Sequence, residues 1–174
     1  MRAHHLTIAA LIVALLAGCA SMAPEGPVAV ANLEPTKGNN TSGSVTFTQV
    51  GDKVRVVADV KGLKPGAEHG FHVHDKGDCS SGDGMSTGGH FNPTGKPHAH
   101  HSTAERHAGD MPSLVADANG NAKLSVVLDV MSVSTGAASV VGRGLIVHRD
   151  PDDYKSQPTG NAGPRIACAV IRLR

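Results

Sequence analysis

The chain has 174 residues, which fits one domain plus a leader, and its 16 Lys and Arg residues nearly balance its 15 Asp and Glu residues. The 21 glycines and 10 prolines, with no long stretch of helical periodicity, argue against a helical protein, and the lack of a basic run or an aromatic stacking surface argues against nucleic-acid binding. The 11 histidines are unusual for this length and need a cause.

Residues 1–18 have the features of an export signal. Arg2 supplies a positive charge close to the start of the chain. The apolar run Leu6–Ala17 is too short to span a bilayer but has the length of the hydrophobic part of a signal peptide. We therefore expect the protein to be exported and residues 1–18 to be removed.

The leader ends in Leu-Ala-Gly-Cys at positions 16–19, which resembles a bacterial lipobox. In signals of that kind the Cys is acylated and becomes the new N-terminus. We therefore expect Cys19 to carry lipid and residues 19–27, which are small, polar and proline-containing, to form a lipid-anchored tether. The alternative is ordinary secretion with cleavage near Ala20 or Ala23.

Residues 28–174 are predicted to form one all-β domain. Short apolar runs alternate with polar residues, and turn residues such as Gly51-Asp52, Lys64-Pro65-Gly66 and Asn119-Gly120 separate the runs. The predicted strands are Val28–Leu33, Gly43–Gln49, Val54–Val60, Glu68–His74, Ser113–Asp117, Ala122–Val130, Gly144–His148 and Ile166–Leu173. Short strands with turn signals between them are typical of an antiparallel sandwich or barrel.

Two long segments interrupt the strand pattern, at 75–112 and at 149–164. The first is rich in Gly, His, Ser and Asp, and the second is polar and contains Pro and Gly. Loops of this length in a compact domain are usually either functional or disordered, and functional residues commonly lie on loops that a rigid scaffold positions. We expect the functional residues to lie on these two loops.

The predicted strand Glu68–His74 brings two histidines to one face. Successive strand side chains point to opposite faces, so His72 and His74 project together while Phe71 and Val73 point into a core. Two imidazoles on one face make half of a metal site. The alternative is a pair of surface histidines on an edge strand.

Further candidate ligands lie in the first long loop and at the end of the seventh strand. They are His90, His98, His100, His101, His107, Asp110 and His148. Imidazole suits zinc and copper, and zinc sites commonly add a carboxylate. So many ligands in an exported chain favour a metal site over a solvated surface loop.

Two cysteines remain once Cys19 is assigned to the lipid, namely Cys79 and Cys168. In an exported chain an even pair is most simply a disulfide. The alternative, two buried free thiols, fits poorly with an oxidising compartment.

Four motifs carry a resemblance to a known family. They are Gly-Phe-His-Val-His at 70–74, Gly-His-Phe-Asn-Pro at 89–93, Arg-His-Ala-Gly-Asp at 106–110 and Gly-Asn-Ala-Gly-Pro-Arg-Ile-Ala-Cys at 160–168. In order and spacing they resemble the motifs of the copper–zinc superoxide dismutases, and the resemblance runs from about Val28 to the C-terminus.

This resemblance implies a fold and a set of cofactors. The fold is an eight-stranded antiparallel Greek-key β-barrel or immunoglobulin-like sandwich with two long functional loops, and the family is itself a standard example of sandwich architecture. The implied cofactors are one copper ion and one zinc ion per chain.

The resemblance also assigns the metal ligands. The implied copper ligands are His72, His74, His90 and His148, and the implied zinc ligands are His90, His98, His107 and Asp110, with His90 shared by both metals. The family spacing selects His98, eight residues after His90, although His100 and His101 are possible competitors for the metal.

Other residues take roles around the metals. Asp152 resembles the aspartate that ties one copper ligand to one zinc ligand, and His69 resembles a residue that braces the copper-binding strand. Arg165 matches the arginine that guides the substrate. Cys79 and Cys168 match the disulfide pair of the family.

The chain departs from the eukaryotic members in places. Cys79 lies only five residues after His74, a placement that bacterial members share. The loop 152–160 is shorter than the eukaryotic electrostatic loop and lacks its pair of acids. Lys155 has no clear counterpart, so its role stays open.

The implied reaction converts superoxide to dioxygen and hydrogen peroxide, with His90 and Arg165 as catalytic groups. Together with the leader, it predicts an oxidoreductase that protects the bacterial cell envelope as a periplasmic lipoprotein, attached to the membrane only through its lipid. Superoxide is the expected partner, and no nucleic acid is expected.

The sequence leaves two questions open. The oligomeric state is one, although Arg172 and Arg174 place charge where eukaryotic members form a dimer through apolar contacts. The other is whether the protein is instead a non-catalytic copper- and zinc-binding envelope lipoprotein on the same fold. Such a protein would need neither the bridging ring of His90 nor the base of Arg165.

Overall fold

The computed structural model describes residues 25–174. The expected signal peptide at 1–18, the expected lipidation site Cys19 and the first part of the expected tether lie outside the described residues. Within them the chain is built of strands and loops, with one short 3₁₀ helix at Met85–Thr87. None of the helical structure in this part is long and apolar enough to cross a membrane.

The strands are β1 (Glu25–Pro35), β2 (Ser42–Val50), β3 (Lys53–Lys61), β4 (Glu68–His69), β5 (Phe71–His74), β6 (Leu114–Val115), β7 (Ala122–Leu128), β8 (Gly144–His148), β9 (Arg165–Val170) and β10 (Arg172–Leu173). Eight of them form one sheet in the order β5-β8-β9-β1-β2-β3-β7, with β10 also paired to β1. β4 and β6 pair separately. All of these pairs are antiparallel, so the all-β antiparallel prediction is confirmed.

The sheet is curled into a half-barrel and has the crossovers of a Greek key. β1, β2 and β3 form a meander, but the chain then crosses to the far edge, where β5 pairs with β8. The chain later returns to the opposite edge of the sheet, where β7 pairs with β3. This path places the two long loops near β5, β8 and β9.

Alternation along the strands builds the core. In β3 every second side chain is buried, at Val54, Val56, Ala58 and Val60, while the residues between them are more exposed. All three phenylalanines of the chain, Phe47, Phe71 and Phe91, are buried in the same core. Phe71 lies in the histidine-bearing strand and Phe91 follows His90, so core packing holds both metal-motif segments.

Two predicted strands are divided in the structure. The predicted strand Glu68–His74 breaks at Gly70, whose N–H donates to the Asp150 carbonyl and whose carbonyl accepts from the His148 N–H. The chain changes partner there, from β6 to β8. The predicted strand Ile166–Leu173 breaks in the same way at Ile171, which bonds to residues 142 and 143 before β10 pairs with β1.

Other boundaries shift by a few residues. β1 begins at Glu25, three residues before the predicted start of the domain, because Glu25 pairs with Val50. β6 keeps only Leu114–Val115 of the predicted strand Ser113–Asp117. The three predicted turns lie where the sequence places them, between β2 and β3, after β3 and between β6 and β7.

Candidate metal centre

The segment 75–112 folds back over β5 and is fastened to Val73 in that strand. The Val73 N–H donates to the Gly109 carbonyl at 3.0 Å, and the Val73 carbonyl accepts from the Phe91 N–H at 2.8 Å. Gly109 permits this close approach, since a Cβ there would collide with the Val73 carbonyl oxygen. The loop backbone is therefore fixed beside the histidine strand.

This fastening brings ligands of the loop next to ligands of the strand. His90 forms an isolated bridge with His74, and Asp110 forms one with His72. His148, the last residue of β8, reaches the same place from the neighbouring strand. The ring centroids of His72 and His90 lie 4.0 Å apart, and those of His74 and His148 lie 5.6 Å apart. The interpretation of His72 and His74 as surface histidines is wrong, because both are fully buried.

The four-histidine cluster consists of His72, His74, His90 and His148, and one ligand atom from each lies within 4.8 Å of the others. Four ring nitrogens in it are buried and have no hydrogen-bond partner: Nδ1 of His72 and Nε2 of His74, His90 and His148. Buried polar atoms are rarely left unpaired. This donor set therefore has the chemistry of a metal site.

In three of these rings, the other ring nitrogen forms a hydrogen bond with a protein group. His72 Nε2 donates to Asp152 at 2.8 Å. His74 Nδ1 donates to the Gly88 carbonyl at 2.9 Å, and His148 Nδ1 donates to the Gly163 carbonyl at 3.0 Å. These bonds fix the tautomers, so that the unprotonated nitrogens remain available to a metal.

Burial keeps the rings of this cluster uncharged. It lowers the pKa of His72 to about 3, helped by the neighbouring His90, and it lowers the pKa of His148 to about 4. Burial also lowers the pKa of His74 and of His90. Neutral imidazole is the form that binds metals.

A second cluster, the three-histidine–aspartate cluster, consists of His90, His98, His107 and Asp110. Nδ1 of His90, of His98 and of His107 lie 2.9, 3.0 and 3.3 Å from Asp110 Oδ1. Burial alone would raise the pKa of the Asp110 carboxyl, but hydrogen bonds from the three rings outweigh it and hold that pKa well below its usual range. Three imidazole nitrogens and one carboxylate are a typical zinc donor set.

His90 belongs to both clusters. Its Nδ1 lies against Asp110, while its Nε2 is one of the unpaired nitrogens of the four-histidine cluster. One ring therefore presents a nitrogen to each cluster.

Asp152 joins the two clusters a second time. Its Oδ2 accepts from His72 Nε2 at 2.8 Å, and its Oδ1 accepts from His98 Nε2 at 2.9 Å. Gly160, at φ +66°, leaves room for this link, since a Cβ there would collide with Asp152 Oδ1 and lie 2.6 Å from His98 Nε2. Burial opposes the protonation of His98, but its bonds to Asp110 and Asp152 raise its pKa to about 9.

The competitors of His98 lie elsewhere. His100 packs its ring on Tyr154, with centroids 4.6 Å apart, and hydrogen-bonds Ser102. The His101 ring lies 4.0 Å from that of His100, and neither belongs to the two clusters found in the described residues. His69 lies behind the four-histidine cluster and donates from Nδ1 to the His148 carbonyl at 2.9 Å.

Arg165 begins β9 beside the four-histidine cluster, with its Cα in register with that of His148. Its guanidinium donates to the Gly84 carbonyl at 2.6 Å, to Thr87 Oγ1 at 2.8 Å and to the Gly88 carbonyl at 2.6 Å. The side chain is thus held in one orientation while remaining partly exposed.

The charge of Arg165 acts on the cluster. After burial and the neighbouring rings, it is a further cause of the lowered pKa of His74 and of His148. An anion that approaches these rings therefore meets a fixed positive charge.

The disulfide between Cys79 and Cys168 is present, with the two Cα atoms 6.0 Å apart, so this prediction is confirmed. It ties the first long loop to β9, three residues beyond Arg165. The sequence did not identify Gly84, Thr87 and Gly88 as the acceptors that hold Arg165. Two of these acceptors are backbone carbonyls, which no motif specifies, and the third is an ordinary threonine.

Comparisons with known proteins agree with this geometry. The family model described as copper/zinc superoxide dismutase (SODC) matches residues 41–171. A Cu-Zn superoxide dismutase from Paramecium bursaria Chlorella virus 1 is 44% identical over 135 residues, which cover 74% of this chain and 71% of that relative. A solved structure, the crystal structure of the clock protein EA4, is similar with a TM-score of 0.78 and 44% identity, over 85% of this chain and 96% of the other.

Proposed function

The chain belongs to the copper/zinc superoxide dismutase family, and on this premise we propose that the four-histidine cluster holds copper and the three-histidine–aspartate cluster holds zinc. The protein is an oxidoreductase that converts superoxide to dioxygen and hydrogen peroxide, with copper and zinc as cofactors. The observation that carries the copper assignment is the convergence of four buried ring nitrogens that have no protein partner.

The donor sets suit the two metals differently. Imidazole nitrogens alone, as in His72, His74, His90 and His148, suit copper in both of its oxidation states. The carboxylate of Asp110 with three imidazoles suits zinc. When bound, copper supplies the one-electron chemistry by which one superoxide is oxidised and the next reduced, which zinc has no oxidation states to do.

The side chains have separate tasks. His90 Nε2 takes up a proton and passes it to the product, a general acid role, while its Nδ1 stays on the Asp110 side. Asp152 accepts from Nε2 of both His72 and His98, so that the Nδ1 atom of each ring is the one that faces its cluster. Arg165, fixed by three acceptors, attracts the superoxide anion and orients it.

Arg165 and the shared ring of His90 favour the enzyme over a non-catalytic metal-binding lipoprotein. A metal-storage protein has no need for a guanidinium held beside its site. Three hydrogen bonds hold the guanidinium of Arg165 in one orientation. This arrangement is suited to binding an anion.

We further propose that the protein works in the bacterial cell envelope. The support is the leader, with its apolar run Leu6–Ala17 and the lipobox-like sequence ending at Cys19. The disulfide is in keeping with an oxidising compartment. In this proposal the domain is a periplasmic lipoprotein that removes superoxide near the membrane.

The metal assignment is tested by elemental analysis of metal-loaded protein, together with an assay of superoxide dismutation. Wild type should hold about one copper and one zinc, as two donor sets with one shared ring require. His148→Ala should lose most of its copper and its activity but keep zinc. His107→Ala should lose zinc and retain copper binding, since it lies only in the second cluster.

Two outcomes contradict this assignment. Wild type that binds zinc but has no copper site would contradict the enzymatic mechanism. Equal loss of both metals in His148→Ala and in His107→Ala would show that the two ligand sets are wrongly divided.

A further inference from the structure

The two long loops meet at His98 through a side chain that no motif identifies. Gln157, in the second loop, donates from Nε2 to the His98 carbonyl and accepts the His98 N–H at Oε1, both at 2.8 Å. The pairing fixes the orientation of the amide, because the reverse orientation would place two donors together and two acceptors together. Both backbone polar groups of His98 are thus held by one side chain.

These two hydrogen bonds, which we call the Gln157 clamp, add to a third contact between the second loop and His98. The ring of His98 is bound at Nε2 by Asp152, and its Nδ1 faces Asp110. Asp152 and Gln157 lie five residues apart in the same loop, so that loop fixes His98 by its ring and by its backbone. His98 is only 2% exposed, and Asp110 is only 1% exposed. An ion at this cluster can therefore leave only after a local opening.

We propose that Gln157 is a positioning residue that keeps His98 in its zinc-binding place by clamping the His98 backbone, and that it thereby limits the rate of zinc release. The proposal rests on the assignment of His98 as a zinc ligand. Gln157 does not touch the metal donors, and its side chain is exposed at the surface. Its substitution should therefore alter the site without disturbing the core.

The chain offers a matched control in Gln49. Its Nε2 donates to the carbonyls of Gly51 and Lys53, and its Oε1 accepts the Val133 N–H. Gln49 is thus also an amide that clamps backbone groups of separate segments, but these segments carry no residue of either cluster. Gln49→Ala removes a similar set of bonds away from the metals.

The experiment uses full-length protein loaded with copper and zinc, and it follows zinc release at neutral pH with a chromogenic chelator. Gln157→Ala should release zinc about 10- to 100-fold faster than wild type, because loss of a residue that orients a metal ligand typically weakens metal affinity by about that factor. Gln157→Glu keeps the acceptor for the His98 N–H but loses the donor and sets a carboxylate against the His98 carbonyl. It should release zinc at least as fast as Gln157→Ala.

Gln49→Ala should release zinc at the wild-type rate even though its melting temperature falls. A second readout is amide hydrogen exchange at His98, which should be slow in wild type and in Gln49→Ala and faster in Gln157→Ala. Both readouts concern the zinc site itself and do not depend on dismutation.

The inference is overturned if Gln157→Ala releases zinc at the wild-type rate, or if Gln49→Ala accelerates release equally, since the effect would then be one of general stability. Unchanged exchange at the His98 amide would also overturn it. If wild type holds no zinc, the metal assignment falls and the inference falls with it. If wild type holds zinc and only the variants disagree, the inference alone fails.

Discussion

At the scale of single residues, the histidine rings of the metal centre are oriented by hydrogen bonds to the ring nitrogen that points away from the cluster. His72 is held at Nε2, whereas His74 and His148 are held at Nδ1. The four rings are therefore not equivalent, and each presents a defined nitrogen to the cluster. Because neighbouring groups fix these tautomers, the donors are oriented by the fold itself.

Arg165 gives the first prediction at this scale. The second-order rate of dismutation should fall in the order wild type, Arg165→Lys, Arg165→Ala, Arg165→Glu, with a loss of about tenfold for Ala. Lys keeps the charge but lacks the planar fork that reaches three acceptors at once. The rates are measured by pulse radiolysis at several salt concentrations.

Salt separates the two parts of the effect. The wild-type rate should fall as ionic strength rises, because the Debye length is about 10 Å at 0.1 M. Arg165→Glu should lose that dependence or reverse it, while copper content stays the same in every variant. Full activity with an unchanged salt slope in Arg165→Glu would rule out a role for this base in attracting the anion.

At this scale, the sequence identified the residues that act through their side chains. His72, His74 and His148 stand out because imidazole binds metals. Gly88 and Gly163 were missed as partners, because every residue has a carbonyl and only the path of the chain decides which one meets a ring. Gln157 was missed for a related reason, since its partner is the backbone of a distant loop.

At the scale of elements, the strand pattern was largely predictable and the strand breaks were not. Alternation in β2 and β3 follows burial of one face, which the sequence displays directly. The divisions at Gly70 and Ile171 arise because the chain changes its pairing partner there. Apolar patterning continues through such a point, so it predicts one strand where the structure has two.

The first long loop is an element held from several sides. Val73 fastens it to β5, and the disulfide from Cys79 fastens it to Cys168 in β9. Arg143 adds a third contact, since its guanidinium lies 4.3 Å from the centroid of the Phe91 ring and donates to Asp75. The loop can therefore hold its four candidate ligands, His90, His98, His107 and Asp110, in fixed positions without regular secondary structure.

Loss of the disulfide should weaken this element. Cys79→Ser opens a covalent loop with a sequence separation of 89 residues, for which chain entropy gives a loss of about 4.5 kcal/mol. A loss of that size should lower the melting temperature by about 10 °C. The measurement is thermal unfolding of metal-loaded protein with and without a reducing agent.

Reduced wild type is the control, and it should melt close to the variant. Reduction should have little further effect on Cys79→Ser, because no bridge remains to be broken. A melting temperature equal to that of oxidised wild type would mean that the bridge contributes little to stability.

At the scale of the whole molecule, the charges of the chain nearly cancel, with 16 basic and 15 acidic residues. Attraction for a small anion must therefore come from local placement of charge, as at Arg165, and not from net charge. The resemblance of four motifs allowed the sequence to predict the architecture and the family, and the structure and the comparisons confirm both.

Attachment to the membrane is a prediction at this scale. A labelled fatty acid supplied to a bacterial host that expresses the full chain should be incorporated at Cys19, which ends the lipobox-like sequence. Cys19→Ser should abolish incorporation. Cys79→Ser is the matched control and should keep the label, because Cys79 is engaged in the disulfide. Label retained by Cys19→Ser would refute the anchor.

The clusters also predict how the stability of the copper- and zinc-free protein depends on pH. Burial, with the help of His90, lowers the pKa of His72 to about 3 and that of His148 to about 4. In the unfolded chain both side chains have a pKa of about 6.5. Between those values the unfolded chain binds protons that the folded chain excludes, so the free energy of unfolding decreases as the pH falls below about 6.5.

His98 acts in the opposite direction. Although burial opposes it, hydrogen bonding to Asp110 and Asp152 raises the pKa of His98 to about 9. Its contribution to stability is present below about pH 6.5 and is lost as the pH rises towards 9. We therefore expect the metal-free protein to be most stable at about pH 6.5, as measured by urea unfolding at a series of pH values. His148→Gln, which does not titrate, should flatten the acid side of the curve, and stability that increases on acidification would contradict the burial of neutral rings.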